Sequence, residues 1–350
     1  MSESNELIDG LGRHMRDLRI SITDRCNFRC LYCLPETEEA ANFYRRKSSD
    51  APQPIRHEWK PRSHFLTYEE ITRVARIATG LGITKLRLTG GEPLLRRAVP
   101  ELVRQLSELE GLDDLALTTN GFHFTQHAEA LRAAGLRRVT FSLDSLDRDN
   151  FKKLTGRDGL GELLAAISRA RELGFAPIKI NAVIIRDLND HEIEALAQFA
   201  RDEALTMRFI EFMPLDSGRA WQREHVVTGR EIRERLQAAF DLEPAGMEHV
   251  AATATRWRFK DGAGEIGLIT PVSEPFCAQC NRLRLTADGK IRTCLFSLHD
   301  HDLKPLLRGK ATDADIVEWL QAIVLKKEPR HHIGETDFEQ PARTMSAIGG

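Results

Sequence analysis

The sequence has no long hydrophobic run and little net charge, and both features restrict the classes of protein it fits. No stretch approaches the roughly 20 apolar residues that cross a bilayer. The acidic N-terminal segment, residues 1–12, contains no apolar run of secretory length. We therefore expect a cytoplasmic protein without a membrane partner. With 50 Lys and Arg against 52 Asp and Glu, no global field recruits nucleic acid, and an anionic substrate needs local basic clusters.

Cysteine is also scarce, and its distribution is uneven. The 350 residues contain six cysteines, in two groups of three: Cys26, Cys30 and Cys33, then Cys277, Cys280 and Cys294. Disulfides are the weaker interpretation in a cytoplasmic protein, and the close spacing within each group indicates metal binding. Structural zinc needs a fourth ligand nearby, and His14 and His57 do not have finger-like spacing.

Short β-rich runs alternate with amphipathic helical patterns from Asp17 onward. The predicted strands are Leu18–Thr23, Lys85–Thr89, Leu115–Thr119, Arg138–Leu143, Ile178–Ile185 and Arg208–Met213. Helices are predicted at Glu69–Leu81, Pro100–Leu109, Glu162–Leu173 and Glu192–Arg201, and the glycines expected as C-terminal caps are Gly82, Gly135 and Gly174. Six β/α units in series predict an α/β fold, a partial TIM-like barrel with a parallel sheet.

Two regions depart from this rhythm. The polar insertion from Glu36 to His64 is interpreted as an irregular, solvated loop rather than a nucleic-acid contact. After about Glu243 the pattern predicts antiparallel strands at Trp257–Lys260, Glu265–Thr270 and Leu283–Thr293, then a helix at Asp313–Lys326. We therefore divide the chain into a core, residues 10–243, and a β-rich C-terminal region, residues 244–350, that closes the barrel mouth.

The predicted strands end in polar residues. These ends read Thr23-Asp24-Arg25, Thr89-Gly90-Gly91-Glu92, Thr118-Thr119-Asn120, Ser142-Leu143-Asp144 and Glu211-Phe212-Met213. Turns and helix caps explain any one of them, but barrels gather their chemistry at the carboxyl ends of the strands. Polar ends in nearly every unit predict a shared site.

The first cysteine group, Cys26-x3-Cys30-x2-Cys33, follows the first predicted strand. A four-iron cluster takes one thiolate per iron, so three thiolates leave one iron open to a small molecule. With Tyr32 before the third cysteine and Gly90-Gly91-Glu92-Pro93 one β/α unit later, the chain resembles the radical S-adenosylmethionine (SAM) superfamily. The resemblance implies a 4Fe-4S cluster whose open iron chelates SAM, and release of a 5′-deoxyadenosyl radical that abstracts hydrogen.

The second group, Cys277-x2-Cys280-x13-Cys294, repeats this arrangement beside Asn281-Arg282-Leu283-Arg284. Alternate residues of a strand share one face, so Arg282 and Arg284 together suit phosphate. These features resemble the GTP 3′,8-cyclase family of molybdenum cofactor biosynthesis over nearly the whole chain. The resemblance implies a second 4Fe-4S cluster that binds guanine. It also implies a lyase reaction that converts GTP to (8S)-3′,8-cyclo-7,8-dihydroguanosine 5′-triphosphate.

The same resemblance implies roles for individual residues. Contacts to SAM are expected from Tyr32, Gly91, Ser142 and Met213, and contacts to GTP from Arg19, Arg87, Thr118, Lys179, Arg282, Leu283 and Arg284. Residues expected to take part in catalysis are Cys26, Cys30, Cys33, Arg282, Arg284 and the terminal Gly349 and Gly350. Burying an unpaired Lys or Arg side chain inside a barrel costs free energy. Such a side chain therefore indicates that a ligand binds there, and not that it only packs in the core. The expected partners are GTP, a reductant such as flavodoxin or ferredoxin, and cyclic pyranopterin monophosphate synthase downstream, with the chain a monomer or homodimer.

Other classes of protein stay open at this point. A radical SAM enzyme with an auxiliary cluster acting on a peptide or another small molecule shares both cysteine groups, although Arg282 and Arg284 favour a nucleotide. A redox carrier is expected to close its clusters with four thiolates. A zinc-stabilised interaction module is expected to contain zinc without iron or sulfide.

Overall fold

The computed structural model describes residues 6–45 and 58–349. Its strands are β1 (Asp17–Ser21), β2 (Lys85–Thr89), β3 (Asp114–Thr119), β4 (Arg138–Ser142), β5 (Ile178–Ile184), β6 (Thr206–Glu211), β7 (Leu242–Gly246), β8 (Thr255–Phe259), β9 (Glu265–Ile269), β10 (Arg282–Leu285), β11 (Lys290–Arg292) and β12 (His301–Asp302). Its α-helices are α1 (Glu38–Arg45), α2 (Tyr68–Gly80), α3 (Val99–Ser107), α4 (Phe124–Ala133), α5 (Arg148–Thr155), α6 (Leu160–Glu172), α7 (Ile193–Asp202), α8 (Gly229–Ala239), α9 (Lys304–Arg308), α10 (Asp313–Val324) and α11 (Met345–Ile348).

The strands form one sheet in the order β12-β11-β10-β1-β2-β3-β4-β5-β6-β9-β8-β7. Strands β1 to β6 are parallel neighbours, which confirms the prediction from six β/α units. Strand β10 pairs with β1 and strand β9 pairs with β6, both in parallel. The C-terminal region therefore extends the parallel part of the sheet at both edges. Within residues 6–45 and 58–349 no ladder joins the two ends of the sheet, so the barrel is partial.

The C-terminal strands were predicted correctly where they pair with one another, but their pairing with the core strands was not predicted. Pairs β8–β9 and β10–β11 are antiparallel as expected, and the Asp288-Gly289 turn joins the second pair, with Gly289 at a φ of 81°. The sequence pattern did not predict that β9 and β10 pair in parallel with the core. The two edge strands of the six-stranded core have backbone groups that need hydrogen-bond partners. Which segments supply those partners depends on the tertiary structure and not on the local sequence pattern.

Alternation along each strand separates an apolar outer face from a polar inner face. In β2, Leu86 and Leu88 are buried in the main hydrophobic core against the surrounding helices, whereas Lys85 and Arg87 point into the barrel. Helix α2 begins with a capping box between Thr67 and Glu70. The predicted glycine caps are confirmed, because Gly82, Gly135 and Gly174 have φ angles of 92°, 103° and 71°.

The insertion contains a helix that the sequence analysis missed. Helix α1 buries Phe43 and Tyr44, and the Tyr44 hydroxyl donates to the Leu31 carbonyl at 3.2 Å. The loop interpretation is therefore wrong for this part of the insertion, because two aromatic side chains fix the segment on the cysteine loop. Residues 46–57 of the insertion lie outside the described residues. Among the described helices, none has the length and apolarity required to span a membrane.

Candidate active site

Strand register aligns the polar inner-face residues across the barrel. Arg19 on β1 is level with Arg87 on β2 and with Arg284 on β10. Farther along, Asn181 on β5 is level with Ser142 on β4 and with Arg208 on β6. Because neighbouring strands keep the same inward alternation, these side chains share one interior. The barrel interior thus brings polar side chains of adjoining strands together.

The first cysteine group lines a cavity of about 760 Å³ beyond the ends of β1 to β4. The residues of this group and their neighbours in the wall are Cys26, Cys30, Cys33, Tyr32, Gly90, Gly91, Thr118, Ser142 and Asp144. The amides of Cys33 and Leu34 both donate to the Cys30 carbonyl, at 2.9 and 2.8 Å, so the loop turns back on itself. The turn brings three thiols that are close in sequence to one cavity.

The two glycines after β2 allow its backbone to pack against this cysteine loop. A Cβ added to Gly90 would lie 2.6 Å from the Thr23 carbonyl oxygen, and one added to Gly91 would lie 2.3 Å from the Arg25 carbonyl oxygen. Gly90 also has a φ of 155°, which side chains rarely adopt. No larger residue fits either position, so the Gly-Gly pair is explained by a close approach of two backbones beside the thiols.

Tyr32 connects the cysteine loop to strand β4. Its hydroxyl donates to Asp144 Oδ2 at 2.7 Å, while Asp144 Oδ1 accepts from the Val183 amide at 2.8 Å. Burial raises the pKa of Asp144 to about 6, although the hydrogen bond from Tyr32 opposes that change. Both side chains line the cavity, and the pair holds Tyr32 in place there.

The second cysteine group lines a larger cavity of about 1300 Å³ inside the barrel. Cys277, Cys280 and Cys294 stand on its wall with Arg19, Arg87, Arg208, Arg282 and Arg284. The residues that line both cavities are Tyr32, Thr118, Ser142, Asp144 and Met345. The two cysteine groups, which are far apart in sequence, therefore open on adjoining spaces.

The spacing of the thiols fits iron–sulfur clusters better than zinc. In the described residues the only three potential ligand atoms that lie within 4.8 Å of one another belong to His332, Glu335 and Asp337. Neither cysteine group is that tight. Tetrahedral zinc with bonds of about 2.3 Å needs its sulfur ligands about 3.8 Å apart, whereas a four-iron cluster holds its thiolates on separate irons. Two open sets of three thiols fit two such clusters.

The electrostatic environment differs between the thiols. Burial raises the pKa of Cys26 and Cys294 to about 11 and that of Cys33 to about 12. Burial also acts against ionisation of Cys280, but the positive charges of Arg282 and Lys327 outweigh it and lower this pKa to about 7. Apart from Cys280, these buried thiols need a nearby cation to stabilise the thiolate, because burial removes its solvation. Metal coordination supplies that cation.

The larger cavity contains polar atoms that lack hydrogen-bond partners. The buried atoms without a partner in the described structure are Nε of Arg19, Arg87 and Arg208, Oγ1 of Thr118 and Oδ1 of Asn181. More than 90% of buried polar groups in proteins are satisfied, and each exception costs about 1–3 kcal/mol. Unsatisfied donors and acceptors around one cavity, with several guanidinium groups, indicate a site for a polar anionic ligand.

The C-terminal tail enters this site. The Ser346 backbone and hydroxyl hydrogen-bond the Cys33 thiol, and Arg284 donates to the Gly349 carbonyl. A Cβ on Gly349 would lie 2.2 Å from Thr89 Oγ1, so only glycine fits there. The expectation that the tail reaches the site has structural support at Gly349, while Gly350 lies outside the described residues.

The remaining predicted site residues occupy different surroundings. Met213 lines the larger cavity beside Met345, and Arg282 lines it next to Phe276, with its guanidinium 5.0 Å from the ring centroid. Lys179 instead lines a separate cavity at the amino ends of the strands. Leu283 points away from the interior, since its side chain is buried in the main hydrophobic core. Any contact of Leu283 with a ligand would therefore come from its backbone.

Asn181 and Arg208 line the larger cavity but were not among the predicted site residues, and Asp144 was expected there only as part of a polar strand end, without a ligand contact of its own. The predicted sixth strand started at Arg208, whereas β6 starts at Thr206. Alternation counted along β5 from Lys179 and along β6 from Thr206 places Asn181 and Arg208 on the inner face. That signal was present in the sequence. The role of Asp144 depends on Tyr32, which is 112 residues away, and no local pattern indicates it.

Comparison with known proteins identifies two matching families. The family model described as the Radical SAM superfamily matches residues 20–200, and the one described as Molybdenum Cofactor Synthesis C matches residues 205–333. Among curated proteins, the GTP 3′,8-cyclase of Rhodopirellula baltica is 43% identical, over 100% of this chain and 94% of that protein. The GTP 3′,8-cyclase of Acidothermus cellulolyticus is 44% identical, over 92% and 87% respectively.

Solved structures share the fold at low sequence identity. SuiB of Streptococcus suis bound to S-adenosylmethionine has a TM-score of 0.61 at 14% identity, over 98% of this chain and 77% of that one. The protein anSMEcpe with bound AdoMet has a TM-score of 0.53 at 13% identity, over 93% of both chains. At this identity the likeness concerns the fold.

Proposed function

The chain belongs to the GTP 3′,8-cyclase family of the radical SAM superfamily, and on that premise we propose that it catalyses the reaction of that family. The chain converts GTP to (8S)-3′,8-cyclo-7,8-dihydroguanosine 5′-triphosphate, the first step of molybdenum cofactor biosynthesis. The observation that carries this proposal is the larger cavity, where three thiols surround one space with five arginines, three of which have a buried Nε atom without a hydrogen-bond partner. A metal-bound base and an anionic phosphate chain fit such a wall.

The two cysteine groups hold the two 4Fe-4S clusters. When bound, the first cluster and SAM would supply a 5′-deoxyadenosyl radical that removes the ribose 3′-hydrogen. The C3′ radical would then bond to C8 of guanine, and a second electron from the reductant with a proton would complete the 7,8-dihydro ring. The core, residues 10–243, contributes the SAM contacts, namely Tyr32, Gly91, Ser142 and Met213. The C-terminal region, residues 244–350, contributes the second group of thiols and the diglycine tail.

The interior residues bind and orient GTP. Arg19, Arg87 and Lys179 neutralise the triphosphate, as does the Arg282–Arg284 segment, in which Leu283 acts through its backbone. Thr118 and Asn181 offer hydrogen bonds from atoms that are otherwise unsatisfied. The tail contacts the site where Arg284 donates to the Gly349 carbonyl, and Gly349 would lie beside the reacting sugar. These contacts exclude water from the space between the cysteine groups.

The substrate assignment is tested by turnover without oxygen. Reconstituted protein is incubated with SAM, a strong reductant and GTP, and the products are separated by chromatography. We expect 5′-deoxyadenosine, methionine and the cyclised nucleotide. Formation of 5′-deoxyadenosine with intact GTP would refute the substrate, and absence of both products would refute the radical reaction.

The separate roles of the thiols are tested with Cys294→Ala. This variant removes one thiol of the second group and leaves the first group unchanged. We expect about four iron atoms per chain instead of about eight, retained SAM binding and loss of cyclisation. Cys33→Ala is the matched variant and should lose SAM binding. Equal loss of SAM binding in both variants would contradict the division.

The partners follow from the same proposal. A one-electron donor such as flavodoxin or ferredoxin reduces the first cluster, and cyclic pyranopterin monophosphate synthase takes the product. The cytoplasm is the proposed compartment because thiolate-bound clusters need a reducing environment. Sedimentation of the reconstituted protein distinguishes monomer from homodimer.

A further inference from the structure

A third cavity, the one that Lys179 lines, is at the opposite end of the barrel, beyond the amino ends of the strands. This floor cavity encloses about 740 Å³. The basic residues in its wall are Arg19, Lys85, Arg87, Arg138, Lys179, Arg208, Arg256 and Arg282, and the acidic ones are Asp17, Asp114 and Glu248. Arg19, Arg87, Arg208 and Arg282 also line the larger cavity. The floor cavity is thus a basic continuation of the proposed GTP site.

Some of these cations already have partners. Arg138 forms an ion pair with Asp114 at 2.5 Å, and Arg256 forms one with Glu265 at 3.3 Å. Arg19, Arg87 and Arg208 form no ion pair in the described part of the chain, and each has a buried Nε without a hydrogen-bond partner. The floor cavity therefore has an excess of positive charge suited to an anion.

Glu248 places a carboxylate in this basic space. It lies on the loop of residues 247–254 between β7 and β8, whose Met247 and Val250 side chains are exposed. Glu248 Oε2 accepts a hydrogen bond from Lys179 Nζ at 3.1 Å. The Lys179 side chain is 12% exposed and the Glu248 side chain is 44% exposed. A side chain from a surface loop thus covers a nearly buried ammonium group.

The position of Lys179 determines which phosphate can compete with Glu248. Lys179 lines the floor cavity but is not part of the wall of the larger one. A phosphate chain that starts beside the cysteine groups must pass the shared guanidinium groups before it reaches Lys179. The terminal phosphate of a triphosphate extends farthest, whereas a monophosphate stops among the shared guanidinium groups.

We propose that Glu248 is a specificity-determining residue of the GTP site, whose carboxylate occupies the terminal-phosphate position at Lys179 and is displaced when GTP binds. The assignment rests on the proposed function. Opening the Glu248–Lys179 contact reduces the affinity for every phosphate that uses Lys179. Shorter nucleotides do not open it, so they bind without this cost and without the benefit of Lys179.

The test measures binding of GTP, GDP and GMP to the reconstituted protein by anaerobic calorimetry, for the wild-type chain and for Glu248→Gln. This variant keeps the side-chain shape and removes the charge. We expect the Kd for GTP to fall about fivefold, as for loss of one partly exposed ion pair. The Kd values for GDP and GMP should each change by less than about twofold.

Three further variants make the result specific. Glu243→Gln removes an exposed carboxylate on β7 that does not line the cavity, and it should leave all three dissociation constants unchanged. In a Lys179→Gln background, Glu248→Gln should have no further effect, because the two residues act through one contact. Glu248→Ala should reproduce the direction found for Glu248→Gln.

The outcomes separate this inference from the proposed function. If wild-type protein binds GTP and Glu248→Gln leaves its Kd unchanged or raises it, Glu248 does not compete with phosphate and the inference is wrong. An equal change for GTP and GMP would indicate a general field effect and would also refute it. Absence of GTP binding by the wild-type chain would overturn the proposed function together with this inference.

Discussion

Individual residues of the barrel interior depart from ordinary packing, because several buried polar atoms have no partner. Thr118 Oγ1 and Asn181 Oδ1 are buried and unsatisfied in the described structure, as are the Nε atoms of Arg19, Arg87 and Arg208. Each lost hydrogen bond reduces the stability of the unliganded protein. The same atoms can form hydrogen bonds with a ligand, because no protein group in the described structure bonds them. Stability and binding therefore oppose each other at these residues.

Thr118 provides a direct test of this opposition. Thr118→Val keeps the side-chain shape and removes the unsatisfied hydroxyl, so we expect the free energy of unfolding to rise by about 1 kcal/mol. The same change should weaken GTP binding several-fold. Denaturant unfolding and calorimetry measure the two effects. Lower stability with unchanged GTP affinity would mean that the hydroxyl has a structural role.

We expect Lys179 to make GTP binding sensitive to pH. Burial, followed by the positive charge of Arg208, lowers the pKa of Lys179 to about 8, while Glu248 opposes the change. A base with a lowered pKa loses its charge as pH rises through that value, so phosphate binding weakens above pH 8. We expect the Kd for GTP to be about tenfold higher at pH 9 than at pH 7. Lys179→Arg keeps its charge throughout and should remove this dependence; an unchanged profile would exclude Lys179 as its source.

Secondary-structure elements deliver these residues through two arrangements. Inward alternation along β1 to β6 supplies cations and hydrogen-bond donors from successive strands. The hairpin of β10 and β11 supplies Arg284 and also anchors the C-terminal tail. Arg343 donates to both carboxylate oxygens of Asp288 at 3.0 Å, and it pairs with Asp300 as well. The tail that carries Gly349 is thus fastened to the hairpin that contacts it.

The ion pairs of Arg343 should hold the tail in the site. Arg343→Gln leaves the nearly buried Asp288 without its bidentate partner, so we expect a loss of about 2 kcal/mol of stability. Hydrogen exchange of the amides of residues 345–349 should become faster. Arg330→Gln, which breaks a more exposed pair with Glu335, should cost less than about 1 kcal/mol and leave this exchange unchanged. Unaltered exchange in Arg343→Gln would refute the anchor.

Acid should weaken the same anchor. Burial acts to raise the pKa of Asp288, but hydrogen bonds from Arg343, Lys60 and Thr286 outweigh it and hold the pKa well below its usual range. A carboxyl with a depressed pKa stabilises the protein fully above its ordinary pKa of about 4 and loses that contribution as the pH falls. The stability difference between wild type and Arg343→Gln should therefore shrink below about pH 4. A constant difference would mean that Asp288 does not mediate it.

At the scale of the whole molecule, the C-terminal region is structurally part of the barrel. Its strands β9 and β10 pair with β6 and β1, so they cover both edges of the six-stranded core. The same region supplies the second cysteine group and the arginines of β10. Folding and site assembly are therefore coupled, because the sheet edges and the cavity walls are completed by the same segments.

Truncation tests this coupling. A chain ending at residue 243 exposes both edges of the core sheet, and unpaired edges promote aggregation. We expect this chain to lack a cooperative thermal transition and to sediment as aggregates. A chain that lacks only residues 345–350 keeps the sheet and should unfold cooperatively. A monomeric, cooperatively unfolding 1–243 chain would show that the core folds alone.

Much of the fold and the site could be predicted from the sequence. Short β-rich runs between amphipathic helical patterns predicted β1 to β6 within a few residues, since local composition and helical periodicity mark these segments. The spacing of Cys26, Cys30 and Cys33 indicated one metal site, because a short loop can turn three thiols towards one point. Helix α1 was missed because a polar insertion conceals two aromatic anchors that have meaning only against Leu31 and its neighbours.

The sequence by itself indicated the candidate residues for the chemistry: two groups of thiols, a glycine pair, and cations at alternate strand positions. Only the tertiary structure decided that the thiol groups open on adjoining cavities, that β9 and β10 run parallel to the core, and that Glu248 meets Lys179. Local sequence patterns indicate which face of a segment is buried and where the chain turns, because both depend on residues that are close in the sequence. Contacts between segments 69 or 112 residues apart, such as Lys179–Glu248 and Tyr32–Asp144, depend on how the whole sheet curves and pairs.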